Sequence, residues 1–309
     1  MKSILAVGLV VALAVAFAAF VGTRSAGDAH AGASPWTMAQ SMSQRRSYIA
    51  AAELGGKIYA AGGMVGETGR YLDTFQRFDP AKNSWTTLQR MPEAVRAGAG
   101  AALNGKVYVI GGQAARADGR QVYVYDVARG MWEAKAPLPE PRANHAAVAF
   151  QREIYVLGGF VRERDRSDAF VYDPAEDRWM RATPLPRPMH AFAALVFKGE
   201  IWTIGGRRDG HVLREVWIYN PTTRQWRAGP TMPKPMELLG AAVVGDQIHA
   251  VLEHTYQIYD ARTGRWTQGP RPLVPRHALS AFYVHGALYT VGGCTTQLQD
   301  SALVEMRRL

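Results

Sequence analysis

Four arginines and two histidines fall at nearly the same place in successive segments of this chain: Arg46, Arg96, Arg142, His190, Arg276 and His277. Three of the arginines precede a glycine pair by one fixed interval, 62−46=16, 158−142=16 and 292−276=16, while Arg96 is offset by one. Val95, Met189 and Met236 take that place in the other segments. A guanidinium grips a carboxylate, sulfate or phosphate through two parallel charge-assisted hydrogen bonds. A ring of such groups would make a cup for an anion. A second set, Glu237, Glu253 and His254 with His190 and His277 on either side, suits general acid–base chemistry at neutral pH if burial tunes the pKa values. Glu237, Glu253, His190 and His277 are the candidate catalytic residues on that reading. Further arginines gather in loops: Arg70, Arg116, Arg120, Arg162, Arg164, Arg166, Arg207 and Arg208. The competing reading is a solvated face in which Arg162, Arg164 and Arg166 pair with Glu163, Asp165 and Asp168, since surface pairs of this kind are common and weak.

These residues need a frame that repeats with them. Double glycines occur at Gly62-Gly63, Gly111-Gly112, Gly158-Gly159, Gly205-Gly206 and Gly292-Gly293, at steps of 49, 47, 47 and 87. The last step fits two repeats with a degenerate pair near Leu252-Glu253. Trp36, Trp85, Trp132, Trp179, Trp226 and Trp266 follow at steps of 49, 47, 47, 47 and 40. Asp79, Asp126, Asp173, Asn220 and Asp260 each stand six residues before a tryptophan. A period of about fifty residues indicates a propeller or a similar array.

The unit is clearest at Glu153–Trp179: EIYVLGG, a polar loop, FVYDP, then DRW. It resembles the kelch repeat, over nearly all of the chain from Trp36 to Leu309. The resemblance implies an all-β, six-bladed kelch β-propeller with four strands, A to D, in each blade. In blade three these are expected at His145–Phe150, Glu153–Leu157, Ala169–Tyr172 and Arg178–Ala182. Tight A–B turns such as Asn104-Gly105 and His285-Gly286 use glycine for positive φ. Glycine at the end of strand B lets neighbouring backbone approach, and the strand-D tryptophan brings an N–H that needs a partner. The blades are expected at roughly 45–90, 94–136, 141–184, 188–230 and 235–270, with the sixth from about 275 to the C-terminus.

That sixth blade lacks a strand D, while Trp36-Thr37-Met38 is a strand D without a blade. Pairing of residues 34–40 with the 300–307 strand would close the ring and remove an open edge. A–B and C–D turns then share one face. The D–A and B–C connections share the other, and its longer, dissimilar loops are where binding is expected. From first glycine position to strand-C aromatic is 14 residues in blades two to four but 259−252=7 in blade five. The missing seven residues should leave a notch in the rim, with Glu237, Glu253 and His254 beside it.

The N-terminal residues stand apart. Lys2, an uncharged apolar run from Ile4 to Val21 and Ala29-His30-Ala31 read as a secretory signal over 1–31, leaving one propeller domain over 32–309. The run is also long enough to be a membrane anchor. Either way the propeller is expected outside the cytoplasm, periplasmic or secreted. Removing Lys2, Arg24 and Asp28 leaves 34 basic and 25 acidic residues. Such a balance favours acidic glycans, acidic proteins or anionic lipid, and export argues against nucleic acid. Base composition of the genome is the bland explanation. Cys294 is the single cysteine, so no intrachain disulfide forms.

Kelch adaptors of ubiquitin ligases use arginines at the start of strand A to bind acidic peptide motifs, and Arg46, Arg142 and Arg276 match that place. The resemblance therefore implies a recognition scaffold for an acidic glycan or acidic protein segment at the channel mouth. Its ligand-binding residues would be Arg46, Arg96, Arg142, Arg276, His190 and His277. The alternative is a sugar-processing enzyme. Sialic acid mutarotases are similar in having a signal sequence and six kelch blades, but this chain lacks their long inserts, and Arg207 stands where an acid is wanted. A third possibility is an envelope assembly partner that uses the blade edges. No cofactor or metal is expected: Cys294 is misplaced for a galactose-oxidase copper site, and no zinc spacing is present.

Overall fold

The computed structural model describes residues 34–295 and 299–309. The expected signal or anchor over 1–31 lies outside the described residues. Six four-stranded antiparallel sheets follow one another along the chain. Blade one comprises Ala50–Leu54, Lys57–Ala61, Phe75–Asp79 and Ser84–Thr87. Blade six comprises Ser280–Val284, Ala287–Val291 and Val304–Arg308, and its outer strand is Trp36–Ala39 from the other end of the chain. The register runs from Trp36 opposite Arg307 to Ala39 opposite Val304, so the expected closure is present. Each inner strand B is buried on both faces, as at Ile154–Leu157, because the flanking blades cover both sides of the sheet.

The repeated residues hold the blades to one another. Each strand-D tryptophan donates its indole N–H to a carbonyl just beyond the preceding blade's strand D. Examples are Trp85 to Gln40 at 2.8 Å, Trp132 to Gln89 at 3.0 Å and Trp36 to Pro270 at 2.9 Å. The second glycine of each pair donates to the next blade, as Gly63 does to Val95 O at 2.8 Å. The first glycine has no room for a side chain: a Cβ on Gly62 would stand 2.4 Å from Val95 O. Blade five lost the glycines and kept the bond. Glu253, at φ 48°, donates to Arg276 O at 2.8 Å. The Asp/Asn before each tryptophan caps the C–D turn, Asp126 accepting from the amides of Ala128 and Arg129 at 3.1 and 3.0 Å.

Blade three departs from its expected loop. Its strands B and C continue past the sheet as Glu153–Val161 and Arg164–Asp173, joined by Arg162-Glu163 with both residues at positive φ. A β-hairpin arm therefore rises from the loop face. In blade five, Gln247–Leu252 and Thr255–Asp260 are joined by Glu253-His254 alone, so the B–C connection is as short as expected.

Candidate anion-binding rim

Arg46, Arg142 and Arg276 do not line the mouth. Their relative exposures are 0%, 2% and 0%. Each guanidinium turns back into its own blade and binds the carbonyl of the first glycine: Arg46 to Gly62 O at 3.2 Å, Arg142 to Gly158 O at 3.0 Å, Arg276 to Gly292 O at 2.5 Å. A second bond reaches the carbonyl before strand C, at Thr74, Asp168 or Leu303. A third reaches a side chain there: Gln76, Asp168 or Glu305. These arginines close the B–C connection from within, and the expectation that they bind a ligand is corrected. Burial pushes the Arg46 guanidinium down to about 10, still cationic at neutral pH. Burial also lowers Arg276, against the opposing charge of Glu305.

The true rim lies one residue later. In an extended segment successive side chains point to opposite sides, and the position after the buried arginine is partly exposed at Arg96, His190, Glu237 and His277, while the small Ser47 and Ala143 stay buried. Its members are Ser47, Arg96, Ala143, His190, Glu237 and His277. All but Glu237 pair with the residue after the glycine pair, as in Arg96 with Gln113, His190 with Arg207 and His277 with Cys294. The offset of Arg96 thus places it on the rim, and Val95 takes the buried arginine's position.

The remaining candidates form separate pairs across blade boundaries. His190 Nδ1 lies 2.5 Å from Asp165, whose other oxygen accepts the Asp209 amide at 2.8 Å. Glu237 is held by Arg207 at 2.6 Å. Glu253 stands 3.4 Å from His277, and His254 is exposed. Among the described residues no three His, Cys, Asp or Glu side chains converge. Arg166 does pair with Asp168 and Glu140, but Asp165 is spent on His190. Arg162 and Arg164 have no carboxylate partner among the described residues.

An open cleft of about 740 Å³ separates blades two and three on the loop face. Its lining takes Tyr71 from blade one, Arg96, Gln113 and Arg120 from blade two, and Phe160 and Arg162 from blade three. Arg96 is steadied by Gln113 at 2.7 Å and by the faces of Tyr71 and Tyr48, 5.1 and 6.0 Å away, with no carboxylate compensating it. Arg120 is already paired to Asp118. Burial pushes the Tyr48 hydroxyl up, against the pull of Arg96, so it stays a neutral donor. Sequence reasoning missed Tyr48, Tyr71 and Gln113. Aligning the residue after each strand-A arginine, rather than the arginine itself, is the signal that would have led to them.

A ring of glycine-locked, tryptophan-tied blades with a variable loop face defines a kelch-type propeller scaffold. A family model described as the KLHDC2/KLHL20/DRC7 Kelch-repeats domain matches residues 48–252, more than half of the chain, and the chain belongs to the kelch-repeat family. No curated protein matches it significantly.

Proposed function

We propose that this propeller is a recognition scaffold whose loop face binds an anionic ligand, an acidic protein segment or acidic glycan, in the cleft between blades two and three. The observation that carries the reading is Arg96, a rim guanidinium oriented by two tyrosines and Gln113 and left without a carboxylate. Arg162 across the cleft supplies a second free cation. Two such groups within one cleft suit a carboxylate or sulfate ligand, through bidentate charge-assisted bonds. The propeller would act outside the cytoplasm, delivered or tethered by residues 1–31. Detection of the mature N-terminus after cell fractionation tests that part.

The deciding experiment is an array of acidic peptides and acidic or neutral glycans, probed at low and high salt with wild-type and Arg96→Ala/Arg162→Ala protein. A salt-sensitive hit lost in the double variant supports the cleft. Hits that survive the double change, or none at all, overturn it.

A second reading, sugar processing by acid–base catalysis, rests on one pair. Glu237 is neutralised by Arg207, whereas the His190–Asp165 dyad orients an imidazole at a separate cleft of about 620 Å³. Turnover of an array sugar that survives Glu237→Gln and is lost in His190→Gln would favour it.

A further inference from the structure

The channel mouth has a direction built into it. Six residues surround it at φ 50–56°: Tyr48, Ala97, Asn144, Ala191, Leu238 and Ala278. Backbone hydrogen bonds of 2.7–3.0 Å join successive members from Tyr48 to Ala278. The left-handed conformation belongs to this inter-blade strap and is strained for a side chain as large as tyrosine. Bulk alternates around the ring. Tyr48, Asn144 and Leu238 stand in blades one, three and five, with alanine in the blades between. Ala97 is thus a low floor between two partly exposed polar walls, Tyr48 and Asn144. Among the described residues neither of those side chains is spent on a hydrogen bond.

Around a ring of six blades, blade two faces blade five. On the outer side of Ala97 is the Arg96 cleft, bounded by the blade-three arm that carries Arg162. On the opposite side of the mouth the rim falls to the two-residue turn Glu253-His254. Glu253 is the most loosely held acid there, 41% exposed and 3.4 Å from His277.

We infer that the ligand is an extended acidic protein segment that crosses the mouth along this diameter, with its acidic side chains over blade two and its onward chain leaving through the gap over blade five. This rests on the anion-recognition reading above and names the partner class and its path. The Tyr48 hydroxyl and Asn144 amide meet backbone polar groups of the segment, which an extended chain leaves unpaired. The Glu253 carboxylate at the exit disfavours acidic residues there, so the segment's charge is confined to one end. The missing loop of blade five is the passage for the chain.

The test uses the full-length protein and the peptide selected from a synthetic array of acidic sequences. Seven Gly/Ser residues inserted between Glu253 and His254 restore the loop length of blades two to four (14−7=7). The insertion lies in an exposed turn and leaves the melting temperature unchanged. Expected is a loss of affinity of about tenfold or more, comparable to Arg96→Ala. A photo-cross-linker at the acidic end of the peptide should label blade two or the blade-three arm, and one at the other end should label His254 or its neighbours. Loss with Arg96→Ala but full affinity after the insertion, or both cross-linkers on blades two and three, overturns the crossing path and leaves the cleft standing. Binding that only acidic glycans show overturns the protein-segment assignment. Binding indifferent to Arg96→Ala sinks the cleft itself.

Discussion

Arg276 and Arg96 sit one position apart in the repeat and end in opposite environments. Arg276 is fully buried and meets Glu305, itself 1% exposed, at 2.7 Å. Glu305 also accepts the Leu273 and Val274 amides at 2.6 and 3.0 Å, so one ion pair fixes both the B–C and the D–A connections of blade six. Arg96 faces solvent over two tyrosine rings. What separates the two is the parity of an extended backbone, which sends one side chain into the blade and the next onto the rim. The lesson is that charge at a loop face says nothing of recognition until its neighbours are counted. One arginine is consumed in holding the fold; the other is left over.

The contrast is broken most severely from the buried side. Arg276→Ala leaves the Glu305 carboxylate buried without its cation and should destabilise the protein by about 3–5 kcal/mol, read from denaturant midpoints. Arg276→Ala with Glu305→Gln should recover part of that loss. A loss below about 1 kcal/mol for the single change would mean that the collar of buried arginines, Arg46, Arg142 and Arg276, is dispensable.

His145 gives the next effect. It takes the position that Phe192, Leu239 and Leu279 fill in blades four to six, is 6% exposed, and neither ring nitrogen has a partner. Burial, reinforced by Arg142, pushes it down to about 3. The unfolded chain therefore takes up the proton first as pH falls below about 6.5, and native stability declines from there towards pH 3. Between pH 7 and pH 5 the contribution is about 2 kcal/mol. His249, pushed down to about 4 by burial, acts in the same sense. His145→Leu should flatten this part of the stability–pH curve and leave the His249 part. An unchanged slope would show that His145 is not neutral in the fold.

Arg46 tests why some blades use arginine and others methionine. It binds two carbonyls and Gln76 and has no carboxylate. Arg46→Met copies blades four and five, where Met189 and Met236 are fully buried at the same place. It trades lost hydrogen bonds against relief from burying a charge, for a net cost of about 1–2 kcal/mol. A cost equal to that of Arg276→Ala would place the importance of the collar in the arginine itself rather than in its carboxylate.

The framework was legible because each of its parts occurs in register several times. Glycine pairs, tryptophans and turn aspartates are read from their spacing, and the closing strand from its being left over. Even Leu252-Glu253 was placed correctly, since the strand lengths around it are kept. The site was not legible in the same way. Arg46, Arg142 and Arg276 matched one another in the repeat because their partner, the glycine carbonyl, is itself repeated. Arg96 looked like a misaligned copy of them. The blade-three arm shows in the sequence only as a polar loop, because Arg162-Glu163 lacks the Asn-Gly type of sequence that usually marks a two-residue hairpin turn. Pairs such as Glu237–Arg207 depend on neighbouring blades meeting in space, which spacing along the chain does not encode.

The smallest effect on folding should come from Arg96, and that is what makes it informative. Its removal deletes hydrogen bonds to Gln113 and to the Met64 sulfur and the contacts with Tyr71 and Tyr48 on a partly exposed rim. The cost should stay below about 1 kcal/mol, as for other exposed cation–π contacts. Affinity for an acidic peptide should fall by about tenfold or more, because an oriented charge lining a binding cleft carries a large share of binding. Arg96→Lys keeps the charge but loses the planar fork. It should retain the salt dependence of binding while recovering only part of the affinity. If Arg96→Ala instead melts as early as Arg276→Ala, the rim arginine is one more strut, and the division between the two positions fails.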